Sequence, residues 1–198
     1  MRAWDNYIEK NGLLVVLSGP SGTGKDTVYN ALEKIYPQVR RCVTTTTRTP
    51  RPNEVDGKDY NFVSVEEFRK MVETDSFLEY AQVHGNLYGT PKNWVTEHIS
   101  NGYDVVLKID VQGGLSVKRS MPSAIMIFLT TPTFEDLEMR LRSRKTETEE
   151  EITKRLLDAR KEFEYIPHYD YLVENESVSQ AAENIKAVLI AEHCKIKL

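Results

Sequence analysis

The chain has 198 residues, 40% hydrophobic and 28% charged, with a formal net charge of −4. That length accommodates one compact α/β core with small excursions, and the composition is ordinary for a soluble globular protein. The acidic balance disfavours nonspecific nucleic-acid binding, and the longest apolar runs, Leu13–Leu17 and Ala124–Leu129, are too short to cross a bilayer.

Residues 1–11 have no apolar segment of the kind a secretory signal needs. Cys42 and Cys194 lack the spacing of a zinc site and read as buried or partly buried thiols. A cytoplasmic location, with no membrane partner, is expected.

In chain order, Leu13–Leu17 ends at Gly19-Pro20 and reads as a buried strand. A helix follows with Val28, Leu32 and Ile35 on one face, stopped by Pro37. Residues 44–90 differ from the rest, being rich in Arg, Thr and Tyr with short strand signals. Within them Ser64-Val-Glu-Glu67 is a capping box for a helix that turns Phe68, Met71 and Val72 inward. This block is expected to be an insertion outside the main sheet. Further core strands are expected at Tyr103–Asp110, Ala124–Thr130 and Tyr169–Glu174. Helices are expected at about Gln112–Ser120, Thr133–Arg142, Ile152–Ile166 and Ser179–Cys194. Alternating strands and helices imply a parallel sheet covered on both faces. Residues 143–151 form a second polar excursion, and Glu147 to Glu151 reads as a solvated helix start without a catalytic role.

Gly19-Pro20-Ser21-Gly22-Thr23-Gly24-Lys25 has the G-x-x-x-x-G-K spacing, between a buried strand and a helix. Glycines let the backbone wrap an anion with its N–H groups inward, and the following helix adds the positive end of its dipole. Lys25 supplies a full charge to the β- and γ-phosphates. The residues from Gly19 to Asp26 and Thr27 are therefore the expected ATP site. Asp26 departs from the pattern, because a Ser or Thr hydroxyl normally follows the lysine and binds Mg²⁺. A carboxylate there is repelled by the triphosphate unless a cation intervenes, so Asp26 is itself the one candidate metal contact from the protein.

Arg48, Arg51, Tyr60 and Tyr88 come from separate segments of the unusual block. Arginine pairs bidentately with phosphate and tyrosine hydroxyls donate to phosphate oxygens, so the four can form one monophosphate pocket. Glu79 can accept from N1–H and N2–H₂ of guanine, while the hydroxyls of Thr44 and Thr90 can donate to O6. Adenine presents a different edge and leaves such groups unpaired.

From Leu13 to about Cys194 the chain resembles the guanylate kinases. The resemblance is carried by Ser18–Lys25, Thr46-Thr-Arg-Thr-Pro-Arg-Pro52, Glu54–Ser64, Gly85-Asn-Leu-Tyr-Gly-Thr90, Ile109-Asp-Val-Gln-Gly113 and Arg144–Glu149. It implies a parallel-sheet phosphate-loop kinase core (1–43, 91–136 and 158–198), a small inserted GMP-binding domain (44–90) and a mobile lid (137–157). It implies transfer of the γ-phosphate of ATP to GMP or dGMP with Mg²⁺, and it allows a homodimer. By resemblance, Arg48, Arg51, Tyr60 and Tyr88 hold the GMP phosphate, and Thr44, Glu79, Thr90 and Asp110 read guanine. Arg140, Arg144 and Arg155 close over the transferring phosphates. With Lys25 and Arg48, these three arginines make up the expected catalytic set.

Other readings are a paralogue with weak or altered nucleotide specificity, a related kinase with another acceptor, and a non-catalytic binding module. Lys25 and the intact pocket set argue against the last two. Guanylate kinases usually carry an acid where Lys108 stands, so Lys108 and Asp26 are two departures at the same edge of the site. Together they predict a charge pair beside the γ-phosphate.

Overall fold

The computed structural model describes residues 11–52, 54–83, 85–143 and 148–196. Its main sheet has five strands: β1 (Leu14–Ser18), β2 (Val39–Arg41), β7 (Asp104–Leu107), β8 (Ile125–Thr130) and β9 (Tyr171–Glu174). Their spatial order is β2-β7-β1-β8-β9 and every pairing is parallel. β1 lies at the centre, with Val15 opposite Val106 on one side and Ile125 on the other. Fully buried Leu-Val-Val-Leu-Ser is what a central parallel strand requires, since helices cover both of its faces.

One face is covered by α1 (Lys25–Ile35) and α7 (Val178–His193), which pack Val28, Leu32, Ile185 and Leu189 onto Val15, Leu17, Ile127 and Leu129. The other face meets α3 (Lys92–Ser100) and α4 (Val111–Ser120), which bring Val95 and Val117 against Leu14, Val16, Leu107 and Met126. Gly114 lets α4 come this close: a Cβ there would lie 3.1 Å from Val16 and 3.2 Å from Met126. The last pair, α5 (Phe134–Ser143) and α6 (Glu149–Phe163), has an apolar cluster of its own built from Leu137, Leu141, Ile152 and Ala159.

A second, four-stranded sheet occupies residues 45–91. It consists of β3 (Thr45–Thr46), β4 (Asn61–Phe62), β5 (Phe77–Val83) and β6 (Asn86–Pro91) in the order β4-β3-β6-β5. Helix α2 (Val65–Glu73) packs on it through Phe68, which stacks on Phe77 with centroids 4.5 Å apart. The capping box is present: Glu67 N–H donates to Ser64 Oγ at 3.1 Å, and Ser64 N–H donates to the Glu67 carboxylate at 2.8 Å. Met71 and Val72 are only half-buried.

The elements anticipated from hydrophobic period occur with ends shifted by a few residues. Ile35 departs from its expected inward face and is 37% exposed. Cys42 is buried, but Cys194 is exposed as the residue that caps the C-terminal end of α7. No periodic signal announces β2 or α3. β2 is an edge strand with only Val39 buried, and α3 is built from weak helix formers such as Trp94, Val95, Thr96 and Ile99. It is held by packing on β7. At the far end of the sheet, fully buried Asp104 accepts from Leu13 N–H at 2.8 Å and contacts His193 Nε2 at 2.9 Å. Among the described residues, no helix is long and apolar enough to cross a membrane.

Candidate active site

The carboxyl ends of β1, β2 and β7 meet where the strand order reverses around β1, the usual crevice for ligands in an open parallel sheet. The glycine loop leaves β1 and enters α1. Gly19, Gly22 and Gly24 have φ of 138°, 100° and 92°, which side-chain-bearing residues rarely adopt. A Cβ on Gly19 would lie 2.0 Å from the Leu129 carbonyl oxygen, and one on Gly22 would lie 2.9 Å from Leu141. The loop is thus pressed between β8 and the α5–α6 pair. Thr23 Oγ1 donates to Pro20 O at 2.9 Å, and Lys25 Nζ donates to the carbonyls of Gly19 and Pro20. The ammonium therefore sits inside the turn that the sequence assigns to phosphate. Burial lowers its pKa, while Glu162 and Asp26 oppose the shift.

Three further groups hold the loop from outside. Asn175, 2% exposed, donates its side-chain amide to Thr23 O at 2.7 Å and accepts from Arg140 at 2.6 Å through its backbone carbonyl. Arg155 donates to Ser21 Oγ at 3.4 Å. Arg155 thus reaches the loop directly from α6, and Arg140 reaches it from α5 only through Asn175. Arg144 lies outside the described residues.

Beside the loop, a pocket of about 210 Å³ opens between the two sheets, with Thr44, Tyr60, Glu79, Tyr88, Lys108 and Asp110 in its wall. Glu79 and Thr90 face each other across the β5–β6 pair, and Thr90 Oγ1 donates to Glu79 Oε1 at 2.7 Å. Thr90 is fully buried, so its hydroxyl orients Glu79 and does not itself face the pocket. Burial raises the Glu79 pKa to about 7, with Asp110 adding to the rise and the Thr90 hydrogen bond opposing it. Asp110 caps α4: its Oδ1 accepts from the N–H groups of Gln112 at 2.8 Å and Gly113 at 3.0 Å. Gly113 matters for closeness, since a Cβ there would lie 3.4 Å from Glu79 Oε2.

Arg48 and Arg51 do not line this pocket. Arg48 is fixed beside it by Nη2, which donates to both Glu54 carboxylate oxygens at 2.8 and 2.9 Å, and its guanidinium lies 5.2 Å from the Tyr60 ring centroid. Glu54 also accepts from Arg51 N–H at 2.7 Å, while the Arg51 residue itself is exposed. Glu54 belongs to the Glu54–Ser64 block, but sequence reasoning gave it no role. The spacing of six from Arg48, across a Pro-containing turn, was the available signal. Arg41 and Asn175 were missed for a different reason, because each reaches the site only through the fold.

Lys108 and Asp26 are in direct contact. Lys108, Thr44 and Tyr60 also line a second cavity of about 150 Å³, whose wall is completed by Lys25, Asp26, Arg41 and Cys42. Burial pushes the Cys42 thiol up to about 12, so it stays a thiol there. The site is thus a glycine loop and an acid-lined pocket, with a cation-rich passage between them that shares Thr44, Tyr60 and Lys108 with the pocket.

A sequence profile of the family described as guanylate kinase matches residues 11–192. The chain belongs to the guanylate kinase family. It is 48% identical over 189 residues to the guanylate kinase of Caldanaerobacter subterraneus subsp. tengcongensis, covering 96% of this chain and 92% of the other. It is 42% identical to that of Geobacter sulfurreducens, covering 95% and 93%. Among solved structures, the guanylate kinase from Anaplasma phagocytophilum superposes with a TM-score of 0.78 at 32% identity, covering 95% of this chain and 89% of that one.

Proposed function

We infer that this chain transfers the γ-phosphoryl group of ATP to the phosphate of GMP or dGMP, giving ADP and GDP or dGDP. The observation that carries the reading is that the passage at Lys25 and the Glu79 pocket are neighbours with Thr44, Tyr60 and Lys108 in both walls. Two nucleotides placed there would meet phosphate to phosphate. The family membership supports the same activity, in a cytoplasmic enzyme of purine nucleotide metabolism with no nucleic-acid or membrane partner.

Guanine would lie in the pocket with N1–H and N2–H₂ donating to Glu79, aligned by Thr90, and with Thr44 and Asp110 at its edge. Arg48, Arg51, Tyr60 and Tyr88 would take its phosphate. Glu54 holds one edge of the Arg48 guanidinium in advance, which lowers the cost of ordering that long side chain. The triphosphate would sit on residues 19–27. A phosphate oxygen is already a competent nucleophile, so no general base is needed. The new P–O bond forms as the bond to ADP breaks, and the charge spreads over oxygens that Lys25, Arg48, Arg140, Arg144 and Arg155 stabilise.

The donor set beside the loop fits Mg²⁺. Asp26 has an 81% exposed side chain with one oxygen engaged by Lys108 and the other open, and Thr27 lies next to it. Among the described residues, no cluster of three His, Cys, Asp or Glu could hold a metal unaided. Both facts suit an ion that arrives with the nucleotide and takes most of its ligands from phosphate and water. When bound, Mg²⁺ neutralises charge on the β- and γ-phosphates. We assign residues 44–90 to acceptor binding and 137–157 to closure over the phosphates, with the remainder as core; the separate apolar cluster of α5 and α6 supports movement of that pair as a unit.

The test is ADP release with GMP, dGMP, AMP, UMP, CMP and IMP, with and without Mg²⁺. GMP and dGMP should be phosphorylated, and AMP much more poorly. Equal turnover of AMP, or none with GMP, would remove the reading.

A further inference from the structure

The passage between the two cavities has a charge pattern of its own. Its wall carries three cations, Lys25, Arg41 and Lys108, against one carboxylate, Asp26. Lys108 differs from an ordinary surface lysine. Its side chain is 8% exposed, its ammonium contacts Asp26, and that ammonium lies 5.5 Å from the centroid of the buried Tyr29 ring. Asp26, by contrast, is open to water. The long side chain is thus nearly buried, and its ammonium is held from two sides. The residue lines both cavities. Excess positive charge in so small a space calls for an anion. A single phosphate group on either nucleotide satisfies one cavity only, whereas a phosphate chain passing between them reaches Lys108 from both sides.

We propose that Lys108 is a phosphate-contacting residue at the junction of the two nucleotide sites, and that Asp26 is the residue that positions it. The inference rests on the ATP:GMP reaction proposed above and adds a cation to its transfer point. Before nucleotides bind, Asp26 offsets the mutual repulsion of Lys25, Arg41 and Lys108 and holds the ammonium at the passage. When a phosphate chain crosses the passage, the ammonium gains a partner of higher charge without leaving its seat. Asp26 is then the one group there that repels the chain, so its effect has the sign opposite to that of Lys108.

The probe is an adenosine and a guanosine joined 5′ to 5′ through five phosphates. This is one phosphate more than ATP and GMP contribute together, so the chain spans the gap across which the group moves. Dissociation constants for this compound, ADP and GMP are measured by calorimetry in EDTA, for the wild type, Lys108→Met, Lys108→Arg, Asp26→Asn and the Lys108→Met/Asp26→Asn double variant. Loss of one charge-assisted hydrogen bond to phosphate predicts that Lys108→Met weakens the bridged compound about tenfold or more, and ADP or GMP alone by less than about threefold. Lys108→Arg should keep most of the affinity. Asp26→Asn should tighten the bridged compound, and the Lys108→Met loss should be smaller in that background, because a lone carboxylate no longer faces the phosphates. If Lys108→Met does not fold, Lys108→Gln makes the same comparison. A bridged compound bound equally by wild type and Lys108→Met would overturn the inference. So would an equal loss for all three ligands, which marks a structural role. Failure of the wild type to bind the bridged compound would instead overturn the proposed reaction itself.

Discussion

Replacing Glu79 with glutamine separates what the acid does for binding from what it does to the fold. Glu79 is 8% exposed, and its carboxyl titrates near 7 in the folded protein, against an ordinary value of 4.5. Between those pH values the folded state holds a proton that the unfolded chain has released, so stability falls as pH rises from about 4.5 to about 7. A shift of this size amounts to roughly 3 kcal/mol against the ionised fold at pH 8, by the conversion of pKa to free energy. Glutamine keeps the shape, and its carbonyl can still accept from Thr90. Glu79→Gln is therefore expected to stabilise the nucleotide-free protein by about 1–3 kcal/mol at pH 8 and by almost nothing at pH 4.5. Urea denaturation of both proteins at each pH reads this difference, and effects common to both cancel. The same substitution puts an amide donor against a donor edge of guanine, so GMP affinity should fall about tenfold to a hundredfold. In the wild type, GMP affinity should rise with pH and level off above about 7, because the base needs the carboxylate. A variant that is less stable at pH 8, or whose gain does not depend on pH, would refute the reasoning. Unchanged GMP kinetics would remove the guanine-reading role.

Three further outcomes are expected. Gly24→Ala forces φ +92° on a residue with a Cβ and places that atom 2.5 Å from the Asn175 amide; it should cost about 1–3 kcal/mol and raise KM for ATP more than KM for GMP. Thermal melts and initial-rate kinetics check both. Arg144→Ala should lower kcat far more than it weakens GMP binding measured without ATP, because a group engaged only on closure acts on the transition state; equal losses would count against that assignment. Asp104→Ala leaves the Leu13 N–H without its acceptor and removes the His193 contact. It should destabilise by about 2–3 kcal/mol with KM for GMP unchanged, since it lies at the opposite end of the sheet.

The parts of the fold that sequence made legible are those dictated over a few neighbouring residues. The buried run of β1, the glycine turn and the Ser64–Glu67 cap each follow from local backbone demands, and each is present. The Lys108–Asp26 contact was also legible, though the two are 82 positions apart, because both sat where a different charge was expected. What remained hidden depends on distant partners. Asn175 reads as an ordinary residue after a strand until β9 brings it under Thr23. Arg41 reads as the end of a polar edge strand until β2 lies beside β7 and aims it into the passage. Thr90 was legible as a partner in base recognition but not in its orientation, which the β5–β6 register sets by placing it opposite Glu79. α3 was invisible because its weak helix formers are held by β7 rather than by their own propensity.

The position of Lys25 has a practical consequence. Its ammonium is folded into the turn and donates to two of that turn's own carbonyls. Any anion that draws the lysine outward competes with those carbonyls and stabilises the folded state by mass action. Phosphate and sulfate, in common use as buffer and precipitant, are expected to compete for the loop in this way. Denaturation curves recorded in them would report occupancy of the loop together with the strength of the fold. Amine or sulfonic-acid buffers would give the lower and more intrinsic value.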